Sequence, residues 1–137
     1  MKVFIILLSI LVTSESCNVN AQNETTLISY EAITRGSSIK ISLTPERLIY
    51  NDEISTIKKE NWNSIINLLA DINLDTIHTL EAPSQNRFRD AAMAAQIKIT
   101  TSEKTYISSQ FDHGNPPEDL SLIVKEILSL ANIIDKE

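Results

Sequence analysis

Leu120, Ile123, Val124, Ile127, Leu130, Ala131 and Ile134 recur three or four residues apart. That spacing puts all of them on one face of an α-helix, and a helix with one apolar face must lay it against another element. Two kinds of partner are on offer. Trp62, Ile65, Ile66, Leu69 and Ile72 form a second helical stripe, with Asn61 placed to cap it. Ile39, Ile41 and Leu43 alternate with Lys40, Ser42 and Thr44, the period-2 pattern of a half-buried strand.

Strand signals fill most of the remaining chain. Leu27 to Ile33 reads as a strand, Arg35 to Ser38 as a turn in which Gly36 takes a positive φ, and Pro45-Glu46 as the turn into Arg47–Tyr50. Leu74, Ile77 and Leu80 suit a short helical turn capped by Asp75, with His78 in a surface or half-buried structural role. Residues 82–90 carry no period. Met93, Ala95, Ile97 and Ile99 line one face of a further strand. Ser102-Glu103 turns it back, with Thr105, Ile107, Ser109 and Phe111 expected on a common face. The expected fold is α+β: an antiparallel sheet of about five strands with two helices on one face, in the order β-β-β-α-β-β-α.

The N-terminus carries a different message. Lys2 precedes an apolar run from Val3 to Val12, broken only by Ser9. The run is too short to span a bilayer, which takes about 20 apolar residues. It has the form of an export signal. Cys17, the only cysteine, follows directly after Ser16. A small residue before a lone cysteine at this place resembles the processing site of bacterial lipoproteins, and the resemblance covers residues 1–17. It implies that Cys17 becomes the lipid-bearing first residue. A second cut, after Val19-Asn20-Ala21, would release a soluble secreted chain starting at Gln22. Residues 1–21 are therefore expected to be a signal, 22–26 a short polar tether and 27–137 one α+β domain.

A single cysteine cannot form a disulfide within the chain, so the domain must hold by its apolar core. The net charge of −6 has its two signs interspersed, which argues against nucleic acid as a partner. With Gly36 and Gly114 the only glycines, a glycine-rich phosphate loop is excluded. Neither a metal nor another cofactor is expected.

Two stretches hold residue types capable of chemistry. Phe111-Asp112-His113-Gly114-Asn115-Pro116-Pro117-Glu118-Asp119 is largely punctuation. Gly114 turns the chain, Asn115 can cap, the prolines suit a helix start, and the two acids suit its positive end. Asp112 and His113 are not needed for that task and stand as catalytic candidates. Arg87-Phe88-Arg89-Asp90 places two cations around an aromatic ring, a possible fork for an anionic group. If this loop adjoined the 111–115 turn, Arg87, Arg89 and His113 would make one ligand-binding cluster.

The expected protein is a small exported component of the bacterial envelope. It is anchored through lipid on Cys17 and binds an envelope protein or small ligand without catalysis. The alternatives are a secreted inhibitor-like module that docks a protein through its uncovered sheet face, and an envelope hydrolase using Asp112 and His113, with Asp90 in support.

Overall fold

The computed structural model describes residues 25–134. The expected signal, Cys17 and the first part of the expected tether lie outside the described residues. In chain order come β1 (Thr25–Thr34), β2 (Ser37–Leu43), β3 (Arg47–Tyr50), β4 (Glu53–Thr56), α1 (Lys59–Leu69), 3-10 segments at Leu74–Thr79 and Asn86–Arg89, β5 (Ala94–Thr101), β6 (Thr105–Ile107), β7 (Phe111–Asp112) and α2 (Glu118–Ile134). Every strand pairing is antiparallel. The sheet runs β4-β3-β2-β1-β5-β6, with β7 also paired to β5.

The α+β class holds, but the expected sheet of about five strands does not. It has seven strands, and the order is β-β-β-β-α-β-β-β-α. One extra strand is β4, which returns from β3 through Asn51 and Asp52. Both residues take positive φ (46° and 74°), as a two-residue hairpin turn with the twist of the strands requires. Asn51 reinforces the turn by exchanging bonds with Lys40: its N–H donates to the Lys40 carbonyl, and its side-chain oxygen accepts from the Lys40 N–H.

The other extra strand comes from a break in the last hairpin. Lys98 pairs with Ile107 and Ile99 with Tyr106, yet Ala95 pairs with Phe111, so one surplus residue sits between β6 and β7. Such a bulge reverses which alternate residues face inward. The expected common face of Thr105, Ile107, Ser109 and Phe111 is therefore split. Thr105 and Ile107 are exposed, whereas Phe111 is fully buried. Ser108 holds the break from inside, its hydroxyl accepting the Ile97 N–H at 3.1 Å.

One apolar core lies on one side of the sheet. Ile28, Tyr30 and Ala32 of β1 and Ala95, Ile97 and Ile99 of β5 meet Trp62, Ile65 and Leu69 of α1 and Leu120, Ile123 and Ile127 of α2 there. Each fully buried Ile or Leu contributes about 1.5–3 kcal/mol relative to exposure, and no disulfide is needed to explain the compactness. Helix starts differ in detail from expectation. α1 begins two residues before Asn61, after Lys58, which makes no side-chain cap. Asn73, not Asp75, caps the first 3-10 segment by accepting the Asp75 N–H. Asn115 does not cap α2 but donates to the Ser84 hydroxyl at 2.8 Å.

The two edges of the sheet are finished differently. Along β6 lies the 3-10 segment Leu74–Thr79, tied on by the Ser109 N–H to the Ile77 carbonyl at 3.1 Å. The Ser109 hydroxyl adds a bond to the Leu80 carbonyl, and Lys104 pairs with Asp75 at 2.7 Å. β4, at the opposite edge, has only β3 as a strand neighbour.

Candidate functional site

β7 sends consecutive side chains to opposite sides of the sheet, as any strand must. Phe111 enters the core beside Tyr30, with ring centroids 6.2 Å apart. Asp112 points to the other side, where residues 84–87 close over it. Its carboxylate accepts from the Ser84 hydroxyl at 2.5 Å, the Asn86 N–H at 2.7 Å, the Arg87 N–H at 3.0 Å and Arg87 Nη1 at 3.1 Å. The pair is nearly sealed, with side-chain exposures of 10% for Arg87 and 3% for Asp112. Burial by itself would raise the Asp112 pKa. The bonds from Ser84, the Arg87 and Asn86 amides and the guanidinium outweigh it and bring the value down to about 2.

Arg87 is held as firmly. Nη1 also donates to the Ser84 carbonyl at 2.7 Å, and the guanidinium lies 4.4 Å from the centre of the Phe88 ring. Nε is buried without a hydrogen-bond partner. The two loops thus do adjoin, but through Asp112 rather than through a cluster of cations. Arg89 is exposed, and Asp90, in the left-handed region at φ 55°, pairs with Arg35 at 3.7 Å on the surface.

His113 belongs to a separate arrangement on the core side. Its N–H donates to the Met93 carbonyl, and its Nδ1 lies 2.8 Å from the Tyr30 hydroxyl. The Tyr30 oxygen also receives the Gly114 N–H, while burial raises the Tyr30 pKa to about 12. The phenol therefore keeps its proton, and it bonds to His113 Nδ1 in a direction set by the imidazole tautomer. Burial lowers the His113 pKa from its ordinary 6.5. Asp112 and His113 are neighbours in sequence that do not form a dyad: one carboxylate is saturated by a loop, and one imidazole is occupied by a phenol. His78 is exposed on the first 3-10 segment. No group of three or more His, Cys, Asp or Glu among the described residues is arranged to hold a metal.

A pH dependence follows from His113. Because its folded pKa lies below the unfolded value, the unfolded chain binds more protons in the interval between the two. Stability contributed by neutral His113 is present above 6.5 and declines as pH falls through that value towards the lower folded pKa. Urea unfolding compared at pH 7.5 and pH 5.5 (about one unit either side of the ordinary histidine value) should show lower stability at the acid end. The His113→Gln variant should lose most of that difference.

The remaining surface offers two features. An open groove of about 540 Å³ runs beside α2 past Gly114, Pro116, Val124 and Leu128, with Lys125 the single charged side chain lining it. The other feature is the sheet face away from the helices. The pairings set Ile54, Ile49, Ser42, Ser29, Lys98 and Ile107 in one row across six strands, with isoleucines at both ends, two serines in the middle and Lys98 between Ser29 and Ile107. Ile54 and Ile107 are exposed there, as is Ile33 towards one end. Periodicity alone did not find this row, because the polar β4 and the displaced face of β6 supply its ends.

No protein-family model, curated protein or solved structure matches the chain.

Proposed function

We propose that the chain is a non-catalytic interaction domain of the bacterial envelope, held to the membrane by lipid on Cys17, that docks an envelope protein through the helix-free face of its sheet. The observation that carries the docking reading is the row from Ile54 to Ile107, where isoleucines at the ends frame the polar Ser42, Ser29 and Lys98. Exposed apolar side chains framed by polar ones are what a protein interface uses, since their burial drives association while the polar groups set orientation. The state of Asp112 supports binding over hydrolysis, because its carboxylate already accepts four hydrogen bonds inside the fold and is not shared with His113. The short apolar run ahead of Cys17 supports export and anchoring. Among the described residues no helix is long and apolar enough to cross a membrane, so the anchoring reading rests on the lipid.

Two measurements test this. The intact mass of the protein from the membrane fraction of its native host should correspond to a chain starting at acylated Cys17. A soluble species starting at Gln22 would replace the anchored reading with the secreted module. A photo-crosslinking residue at position 33, 49 or 107 should trap one discrete envelope protein, whereas the same residue at Leu122, exposed on α2, should not. Equal labelling from both faces would remove the sheet as the docking surface.

A further inference from the structure

We propose that β4 is a self-pairing edge, through which two copies of this chain join antiparallel about a two-fold axis into one continuous sheet. This goes beyond the docking reading above and does not depend on it, because it concerns the sheet's margin and not its face.

The backbone defines which groups are available. The Ile57 N–H donates to the Glu46 carbonyl and the Thr44 N–H to the Arg47 carbonyl. Backbone groups alternate in direction along a strand, so Glu53, Ser55 and Ile57 address β3. Ile54 and Thr56 therefore turn their N–H and C=O groups outward, where no element of the described chain receives them. Native sheets usually blunt such an edge by brevity, charged side chains, a proline, a bulge or a covering segment, and β4, four residues long, has charges only at and beyond its ends. The opposite edge has both a bulge and a cover, whereas β4 has neither a proline nor a bulge and exposes Ile54 to 67%.

The side chains name the occupant. Residues 52–59 read Asp-Glu-Ile-Ser-Thr-Ile-Lys-Lys, with acids at one end, bases at the other and β-branched residues between. A segment with this pattern is complementary to itself when reversed. Outward groups must meet outward groups, which allows Ile54 of one copy to face Thr56 of the other and sets the two Ser55 residues opposite each other on the axis. In that register the acidic end of one copy, Asp52 in the hairpin turn and Glu53 in β4, lies beside the basic end of the other, Lys58 in extended backbone and Lys59 at the start of α1, on both sides of the axis. Unrelated strands would satisfy the backbone equally well but not this charge order. The pairing also leaves both helix-free faces on the same side of the joined sheet.

The full chain carrying Cys17→Ser, so that no native thiol competes, supplies the test. Sedimentation equilibrium at concentrations up to about 1 mM, the weak end of specific association, should show a reversible dimer. With Ser55→Cys added, mild oxidation should give a disulfide-linked dimer, because directly opposed residues of this kind sit within disulfide reach. Thr56→Cys should not, being displaced from its own copy. Lys58→Glu with Lys59→Glu should raise the dimer Kd by at least about tenfold. Asp52→Asn with Glu53→Lys should do the same, and mixing the two variants should restore pairing. Restoration also shows that both variants fold. A chain that stays monomeric throughout, or a dimer unaffected by both charge variants, would overturn the proposal.

Discussion

Replacing Asp112 with alanine is expected to cost about 3 kcal/mol, the typical penalty for removing one partner of a buried ion pair. The loss is not one bond. Arg87 would remain almost buried with its charge uncompensated, and the Ser84 hydroxyl and the Asn86 and Arg87 amides would each lose their acceptor. Urea unfolding at neutral pH should report the cost. Hydrogen exchange should show the amides of Asn86 and Arg87 opening first, since their protection comes from this carboxylate. The pH dependence separates the role of charge from that of shape. Asp112 titrates at about 2 when folded, below its ordinary 3.8. Its contribution is therefore complete above the higher value and disappears as pH falls through the lower one. Asp112→Asn should erase that acid-limb dependence and leave the His113 dependence near neutrality intact.

Phe111→Ala should cost more, about 3–5 kcal/mol, by opening a cavity in the core. Phe111 is fully buried, packs against Tyr30 and faces Ala95, whose small side chain cannot fill the space. The same change loosens the two-residue strand that aims Asp112 and His113 in opposite directions. Thermal unfolding should thus report a large loss. The Tyr30–His113 bond should weaken with it, visible as a shift of the His113 titration towards the ordinary histidine value in NMR. A cost under about 1 kcal/mol, the range of volume-conserving core swaps, would mean that the core closes around the gap.

Much of the fold was legible because its apolar periods are clean. The α2 stripe from Leu120 to Ala131 and the alternation at Ile39, Ile41 and Leu43 describe buried faces, and burial is what periodicity records. β4 was not legible, since an edge strand with one exposed isoleucine has little to bury and its Asn-Asp turn lacks the glycine that usually marks a hairpin. The bulge after Ile107 was hidden for another reason: one surplus residue leaves no mark in composition yet reverses the face of what precedes it. In the site, the contact between residues 84–87 and the 111–115 turn was conceivable from the loop's arginines. That Asp112 would be its centre was not, because a saturated carboxylate depends on backbone amides that no residue pattern displays. Arg89 shows what spacing leaves open. Its spacing from Arg87 suggested a fork, but the 3-10 turn directs only Arg87 inward.

The Ser109 tether bears on how far association can go. A sheet with two adhesive margins adds copies without limit and grows into a fibre, whereas one with a single adhesive margin stops after the first addition. By fastening residues 74–79 along β6, two bonds from Ser109 take one margin out of use. If β4 pairs as proposed, the surplus residue in the last hairpin, which looks like an imperfection in the ladder, would end the assembly at two copies.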